Sequence, residues 1–339
     1  MVRNKKAVSL VDVYALAAGH GACTLVFVND GKSTFSLMID CGTQIIAKGY
    51  RSRIARIVER AIELLERDSA SRLDVLVASH SDTDHIGGIN SFLTAFSKRG
   101  GTVGHVLFNR DREPGRNKVK GPQQFFDRIV ELKAEQGFAT DFARTARLHR
   151  APACTINIVA PDHTEITQQG GGLDANILSA VIHIVNGETS LIVCGDAYAE
   201  RINQLPSTVG KVDVVLAPHH GARIGEESET RSAYSLLKPQ FVVCSAGDPT
   251  QLCDTHFDAV HASGSALMCT GASRKCDINE EDCAGEVWIR LAHRKPVMLA
   301  TAQENHRDKV TQYPSRRCIR INPDQGGPKS RAHVTARGL

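Results

Sequence analysis

The chain has 339 residues, of which 42% are hydrophobic and 23% are charged, and its formal net charge is +4. This composition is that of a globular protein with a buried core, and it excludes collagen-like and intrinsically disordered classes. The mild positive charge is compatible with an anionic substrate without requiring one. No apolar run reaches the ~18 residues of a membrane helix, so we expect no transmembrane segment.

The first elements in chain order are predicted to be strands. Residues 7–16 and 22–29 are rich in β-branched residues, and the short glycine-containing loop between them includes His20. A third strand, residues 34–39, ends at Asp40. An aspartate at a strand end, followed shortly by glycine, suits a carboxylate that orients a metal ligand, although a plain turn aspartate is the alternative.

The N-terminus imitates a signal peptide, because the basic stretch MVRNKK precedes an apolar segment. However, Asp12 interrupts that segment, and the strand pattern continues without a break into the second strand. We therefore expect no cleaved leader. The ten cysteines are scattered along the chain rather than forming a compact disulfide framework. This usage favours reduced thiols and a cytoplasmic location.

The most informative stretch follows an amphipathic helix predicted at residues 52–67. A buried strand, residues 74–79, leads directly into the sequence HSDTDH at residues 80–85. Two imidazoles and two carboxylates within six positions repel or compete with one another unless a cation compensates them. An ordinary polar loop is the alternative, but the later residues favour a metal site.

A further strand–loop–helix unit follows this cluster. A helical segment at 89–96 precedes a strand at 103–109, and another helix is predicted at 122–136. Between them lies a basic loop, residues 110–120, with five Lys or Arg against two acidic residues. Such a loop either contacts phosphate groups or is simply a solvated surface segment.

The second half of the chain repeats one arrangement, a buried strand followed by residues of metal-ligand type. Asn176 leads into a predicted strand at 177–185, and further strands are predicted at 190–194 and 212–218. Strands of this kind precede four sets of candidate residues: Asp40, residues 80–85, Asp196, and the pair His219 and His220. Because strand ends can converge on one sheet edge, we expect these sets to meet at a common metal centre.

The last part of the chain contains strands predicted at 241–247 and 286–293, with His256 in the connecting segment. A zinc site built from cysteines is conceivable there, although no CxxC pair occurs and buried thiols are the alternative. The cysteines concerned are Cys253, Cys269, Cys276 and Cys283. The tail, residues 302–339, carries eight Lys or Arg against three Asp or Glu, and we expect it to be flexible.

These motifs together resemble a known family. HSDTDH resembles the HxHxDH signature of the metallo-β-lactamase fold, with Asp82 in place of the second histidine. With the two glycines that follow, it resembles the metallo-β-lactamase-like domain of ComEC competence proteins. The segments MIDCG, ANILSAVIHI, LIVCGDA and VDVVLAPHHGA resemble further motifs of that family, in the family's order.

The resemblance implies an αββα sandwich, an α/β fold of two mixed β-sheets flanked by helices, over residues 1–301. It also implies two divalent cations, Zn²⁺ or Mn²⁺. The residues implied as metal ligands are His80, Asp82, Asp84, His85, Asp196, His219 and His220. Asp196 would bridge the cations, one histidine of the 219–220 pair would complete the second position, and Asp40 and Asn176 would support the ligands.

The chain departs from the wider family in two respects. Asp82 replaces a histidine, and the usual histidine before the GD strand is missing, with Asn176 standing near its place. The first metal position is therefore incomplete by sequence. Extra oxygen ligands favour harder cations such as Mn²⁺. His20 and His256 are two further candidates, either as ligands or as proton donors.

The function implied is hydrolysis by water that two cations activate, with Asp84, Asp196 and His220 as catalytic residues. The leading hypothesis is a phosphodiesterase or nuclease with a nucleic acid or nucleotide as its substrate. Two alternatives remain open at this stage. One is a hydrolase of a cyclic nucleotide, lactone or thioester, and the other is a binding or regulatory module that no longer turns over.

Overall fold

The computed structural model describes residues 9–44, 50–69, 71–109, 120–168, 174–246, 252–271, 285–294 and 297–301. Three predictions fall outside these residues: the basic loop apart from Lys120, the tail at 302–339, and the surroundings of Cys276 and Cys283.

Fifteen strands form in the described part of the chain: β1 (Leu10–Ala15), β2 (Thr24–Asn29), β3 (Thr34–Ile39), β4 (Arg72–Val77), β5 (Thr102–Leu107), β6 (Ala139–Asp141), β7 (Ala146–Arg150), β8 (Cys154–Ala160), β9 (Val181–Asn186), β10 (Thr189–Val193), β11 (Val214–Leu216), β12 (Phe241–Cys244), β13 (Ala266–Cys269), β14 (Val287–Leu291) and β15 (Met298–Thr301). The helices of the same residues are α1 (Tyr50–Ser69), α2 (Thr83–Ile86), α3 (Ile89–Lys98), α4 (Lys120–Gln136), α5 (His163–Gln168), α6 (Ala199–Asn203), α7 (Glu227–Leu237) and α8 (Asp254–Ala262). Two 3-10 helices, Ala175–Leu178 and Pro218–Gly221, complete the set.

The strands form two mixed sheets. The first sheet has eight strands in the order β15-β14-β1-β2-β3-β4-β5-β6, and the second has seven in the order β13-β12-β11-β10-β9-β8-β7. Strands β3 to β6 are parallel neighbours in the first sheet, and β10 to β13 are parallel neighbours in the second. The remaining pairs are antiparallel.

Three hydrophobic clusters hold the layers together. The central cluster lies between the sheets and includes Val13, Ile39 and Ile182, all almost fully buried. The second joins the first sheet to α1, α3 and α4, and the third joins the second sheet to α6, α7 and α8. This is the four-layered sandwich that the sequence predicts, so the fold class is confirmed.

Helix α1 shows how the sequence pattern produces the layers. Its buried residues recur every three or four positions, which is the spacing of one helix face. They are Ile54, Ile57, Val58, Ala61, Ile62, Leu64 and Leu65. The arginines and glutamates of the opposite face remain at the surface, where Glu59 pairs at 2.6 Å with Arg99, the residue that follows α3.

One predicted element differs from the structure. The segment 177–185, predicted as a single strand, begins as the 3-10 helix and becomes β9 only at Val181. Asp174 caps the 3-10 helix because its carboxylate accepts a hydrogen bond from the Asn176 amide at 3.1 Å. Local capping therefore overrides the apolar strand pattern at this point. Among the described residues, no helix combines the length and apolarity needed to cross a membrane.

Candidate metal centre

The candidate ligands follow the carboxyl ends of four strands. Asp40 follows β3 and the HSDTDH cluster follows β4, and these two strands are parallel neighbours in the first sheet. Asp196 follows β10 and the histidine pair follows β11, and these two are parallel neighbours in the second sheet. Because parallel neighbours end at the same edge of a sheet, two pairs of strand ends deliver the predicted residues to one place.

Asp40 lies behind the ligands, as expected for a supporting carboxylate. It is 1% exposed and adopts a left-handed backbone with φ of 59°. Its Oδ2 lies 2.8 Å from His85 Nδ1 and accepts a hydrogen bond from the Ser79 hydroxyl at 2.7 Å. Its Oδ1 accepts the Ser79 backbone N–H at 2.7 Å. The carboxylate thereby fixes the His85 ring with Nε2 directed to the centre.

Asp196 divides the centre into two halves. Its Oδ1 lies 2.9 Å from His85 Nε2 and 3.6 Å from His220 Nε2. Asp84 joins this half, since its Oδ2 lies 3.6 Å from His220 Nε2. We call Asp84, His85, His220 and the Oδ1 atom of Asp196 the inner group.

The other carboxylate oxygen faces different residues. Asp196 Oδ2 lies 3.6 Å from His80 Nε2 and 3.7 Å from His219 Nε2. Asp82 Oδ2 lies 3.7 Å from the same His80 nitrogen. We call His80, Asp82, His219 and Asp196 Oδ2 the outer group. Across these residues, two sets of three ligand atoms lie within 4.8 Å of one another, one from Asp84, His85 and His220 and the other from His80, His85 and Asp196.

Three of these imidazoles are held by their other nitrogen. Nδ1 of His80 lies 3.1 Å from the Ser79 hydroxyl, Nδ1 of His85 faces Asp40, and Nδ1 of His219 donates to the Arg223 carbonyl at 3.2 Å. An imidazole whose Nδ1 is fixed in this way presents its Nε2 as a ligand.

Two contacts show that the residues fit cations. His80 Nε2 is buried and makes no hydrogen bond to the described residues. The Nε2 atoms of His85 and His220 lie only 3.0 Å apart, although the other nitrogen of His85 is already committed to Asp40. Nitrogen lone pairs facing each other are unfavourable unless a proton or a cation lies between them, so the donor set suits divalent metals.

Asp196 and Asp84 are ionised at neutral pH. Burial alone would raise the pKa of Asp196, but His85, His220 and His80 outweigh it and hold that pKa well below its usual value. Burial opposes ionisation of Asp84 too, yet the contact with His220 lowers its pKa. Burial and the neighbouring His85 lower the pKa of His80, which leaves its ring neutral. Anionic oxygens and a neutral imidazole nitrogen are the forms that bind metals.

The histidine pair supplies one ring to each half. His220 faces Asp196 Oδ1 and His219 faces Oδ2. The sequence leaves open which of the two is a ligand and predicts an incomplete first position. In the structure, His219 lies on the side of Asp196 that faces His80, and His220 lies on the side that faces His85.

The remaining candidates are placed differently. His20 lies at the centre, with Nε2 3.5 Å from Asp84 Oδ2 and its ring 5.5 Å from that of His220. Asn176 is buried against the Tyr198 hydroxyl and belongs to neither group. His256 was wrongly predicted as a ligand or proton donor at the centre, because Tyr234 and the Ala222 carbonyl occupy both of its ring nitrogens.

Sequence reasoning missed three residues around the centre. Ser79 bonds to Asp40 and to the His80 ring, and its position at a strand end beside the cluster was the available signal. Tyr198, two residues after Asp196, has its ring 6.5 Å from that of His219, and its hydroxyl donates to Asp174. Arg53 of α1, whose guanidinium lies against Gly19 beside His20, had no sequence signal.

The cysteines show no metal site among the described residues. Cys41 and Cys194 are fully buried. Cys253 begins α8, where its sulfur accepts the His256 backbone N–H at 3.4 Å, and Cys269 is buried in the third cluster. A zinc site that includes Cys276 and Cys283 stays a prediction.

Comparison with known proteins identifies the family. The family model of the metallo-beta-lactamase superfamily matches residues 17–233. Recombination protein 2 of Haemophilus influenzae is 24% identical over 270 residues, which are 79% of this chain and 28% of that protein. The chain therefore spans less than a third of the length of that relative.

Solved structures align with this chain at low sequence identity. The metallo-beta-lactamase fold protein YhfI of Bacillus subtilis aligns with a TM-score of 0.46 and 13% identity, over 76% of this chain and 96% of YhfI. A long form RNase Z from yeast aligns with a TM-score of 0.40 and 12% identity, over 72% of this chain and 37% of that one. The family match and the sandwich of two sheets show that this chain belongs to the metallo-beta-lactamase superfamily.

Proposed function

We propose that this chain is a metal-dependent phosphodiesterase that acts on nucleic acid. The observation that carries the proposal is the position of one buried carboxylate, Asp196, with one oxygen toward His85 and the other toward His80. Such an arrangement suits two cations that share a bridging ligand, which is a recurrent solution for phosphoryl chemistry. The metal identity is part of the proposal, and the carboxylate oxygens of Asp82, Asp84 and Asp196 favour Mn²⁺ over Zn²⁺.

When bound, two divalent cations would supply Lewis-acid chemistry and would lower the pKa of water at the centre. The residues of the chain hold and orient the groups around that chemistry. Asp40 and Ser79 fix the rings of His85 and His80, and the Ser179 hydroxyl accepts the Asp196 backbone N–H at 2.8 Å. These supports preorganise the centre.

Asp84 and His20 are the groups that we assign to proton movement. Both are partly accessible, with side chains 18% and 22% exposed, and they face each other at 3.5 Å. Asp84 accepts a proton from the attacking water, and His20 Nε2 delivers one to the leaving oxygen. Described cysteines take no such part, because Cys41 and Cys194 are inaccessible in the core.

Three features support a phosphate-bearing substrate. Arg53 packs its guanidinium over Gly19, next to His20, and within the described residues it forms no ion pair. The basic loop at 110–120 supplies further cations in the sequence. The relative from Haemophilus influenzae is named for recombination, a process of DNA. Cations near a metal centre favour binding of a polyanion.

The test is a cleavage assay of purified protein with single- and double-stranded DNA and with RNA, in Mn²⁺ or Zn²⁺. We expect cleavage by the wild type and a loss of at least about 100-fold for Asp84→Asn, since that residue touches the reacting groups. Asp30→Asn is the matched control, because Asp30 lies in an exposed hairpin turn. Equal cleavage by the wild type and Asp84→Asn would refute the proposal.

The same assay separates the alternatives. Hydrolysis of cyclic nucleotides, lactones or thioesters without cleavage of polymers would leave the metal centre intact and make the substrate assignment wrong. Binding of fewer than one cation per chain, with no hydrolysis of bis-nitrophenyl phosphate, would instead indicate a binding module.

A further inference from the structure

The turn that carries the two histidine ligands has an unusual backbone. His219, His220 and Gly221 have φ angles of 49°, 54° and 87°, so three consecutive residues are left-handed. Residues with a Cβ rarely adopt this conformation, because the Cβ atom crowds the following carbonyl oxygen. The conformation therefore persists only if neighbouring groups hold it, and the question is which groups these are.

One side of the turn is held by the second sheet. The His219 backbone N–H donates to the Gly195 carbonyl at 2.9 Å, next to Asp196. The Ala222 N–H then closes the turn on the His219 carbonyl at 2.7 Å. Gly221 has a φ of 87°, a conformation that glycine adopts readily and residues with a Cβ rarely adopt.

The other side is held by the start of α8. The Cys253 N–H donates to the Gly221 carbonyl at 3.0 Å. His256, one turn further along α8, donates from Nδ1 to the next carbonyl, that of Ala222, at 3.2 Å. The start of α8 therefore donates hydrogen bonds to two successive carbonyls, those of Gly221 and Ala222.

The hydrogen-bond partners of His256 determine which of its ring nitrogens carries the proton. A carbonyl can only accept, so Nδ1 carries the hydrogen and Nε2 is an acceptor. The Tyr234 hydroxyl of α7 lies 2.5 Å from Nε2 and donates to it. His256 is fully buried, Tyr234 is 2% exposed, and burial lowers the pKa of His256 to about 4. The ring is neutral at pH 7, in a single tautomer.

We propose that His256 and Tyr234 are positioning residues that keep His219 and His220 in the left-handed turn and thereby aim one imidazole at each side of Asp196. The inference rests on the proposed function, and it adds two residues outside the ligand set that orient the histidine ligands. It assigns a role to His256, which touches neither a ligand nor the reacting groups. Because the two rings serve different groups of ligands, loosening this turn weakens both metal positions together.

The variants separate positioning from simple packing. Tyr234→Phe removes one hydroxyl and keeps the aromatic volume. His256→Leu removes both hydrogen bonds, whereas His256→Asn places an amide N–H near the position of Nδ1 and keeps the bond to Ala222. Thr230→Val is the matched control, because it removes a buried hydroxyl of the same helix α7 that donates to the carbonyl of Glu226, the N-cap of that helix.

The measurement is Mn²⁺ affinity by calorimetry and bound metal by elemental analysis, with folding checked by circular dichroism and thermal unfolding. Loss of a group that orients metal ligands typically weakens affinity by about 10–100-fold. We expect that loss in Tyr234→Phe and His256→Leu, a smaller one in His256→Asn, and none in Thr230→Val.

Each outcome decides the inference. Folded Tyr234→Phe protein with wild-type Mn²⁺ affinity would overturn it, even if His256→Leu fails to fold. An equal loss of affinity in Thr230→Val would overturn it too, because the effect would then follow stability alone. If the wild type binds no Mn²⁺, the proposed function fails separately. Histidine NMR of the metal-free proteins then decides, since the inference requires the His219 and His220 resonances to shift in Tyr234→Phe but not in Thr230→Val.

Discussion

At the residue scale, the candidate metal centre depends on which of its two halves each ligand atom faces. The two oxygens of Asp196 face different histidines, and each half also receives one aspartate of the HSDTDH cluster, Asp84 or Asp82. His80 and Asp82, at the start of that cluster, therefore face one half, and Asp84 and His85, at its end, face the other. This follows from the short helix α2, which begins after Asp82 and turns Asp84 and His85 inward together.

The histidine pair gives a direct test of the two halves. Removing His219 should abolish tight binding of the cation next to His80, whereas removing His220 should abolish binding next to Asp84, because each ring faces only its own half. We expect His219→Ala and His220→Ala each to retain close to one tightly bound Mn²⁺ where the wild type holds two, measured by elemental analysis after gel filtration. Two cations retained in His219→Ala would contradict the assignment of that residue.

Arg53 gives a test of substrate charge. If its guanidinium contacts a phosphate near the scissile bond, Arg53→Gln should raise KM for DNA with little change in kcat. The slope of log affinity against log salt should also fall by about one, as for the loss of a single phosphate contact. The control is Arg51→Gln, an exposed arginine on the same helix. Equal salt slopes for Arg53→Gln and the wild type would exclude a phosphate contact by this residue.

At the element scale, the backbone that follows β3 packs closely against the HSDTDH segment, residues 80–85. The Cys41 N–H donates to the His85 carbonyl at 2.8 Å, and the Gly42 N–H donates to the Ala22 carbonyl at 2.9 Å. The segment after β3 thus lies directly against the residues that carry two ligands. Glycine at position 42 is required by this approach rather than by its own backbone angles.

A substitution at Gly42 should therefore affect structure and metal binding together. A Cβ there would lie 2.4 Å from the Asp84 carbonyl carbon, and backbone atoms cannot yield as a flexible side chain can. We expect Gly42→Ala to lower the free energy of unfolding by about 1–3 kcal/mol and to weaken Mn²⁺ binding. Chemical denaturation and calorimetry measure these effects.

The control for that substitution is Gly100→Asn. Gly100 has open space around its Cβ position and a φ of 80°, a conformation that asparagine tolerates. A Gly42→Ala variant as stable as Gly100→Asn would show that the two backbones can separate at no cost.

At the scale of the whole molecule, buried neutral histidines set the response to acid. Burial lowers the pKa of His183 and of His256 to about 4 each. Unfolded histidine titrates near pH 6.5, so between about pH 6.5 and 4 the unfolded chain binds more protons than the folded one. Stability is therefore retained above that window and lost as the pH falls through it, by up to about 1.4 kcal/mol per pH unit for each histidine.

His183 allows this effect to be measured away from the metal centre. Its Nε2 makes no hydrogen bond to the described residues, so His183→Leu removes a buried polar atom without leaving a partner unsatisfied. We expect a shallower loss of unfolding free energy between pH 6.5 and 4 and unchanged stability or better at pH 7. The exposed His105→Leu serves as the control. An identical slope in wild type and His183→Leu would contradict the prediction.

The sequence alone determined the class of fold and the residue types of the site. Apolar strand patterns ended at Asp40, at the HSDTDH cluster, at Asp196 and at the histidine pair, and those residues converge because parallel strands end at a common edge. Helix α1 was predictable from its spacing of apolar residues. These features are local in the chain, so a single sequence can carry them.

The tertiary structure decided what depends on contacts between distant segments. It showed that His219 and His220 serve opposite sides of Asp196, which follows from a left-handed turn rather than from residue type. It also showed that His256 lies outside the site and supports that turn. Tyr234 and Ala222 contact its ring only because α7 and α8 pack together. A hydrogen-bond partner 22 or 34 residues away leaves no periodic trace in the sequence.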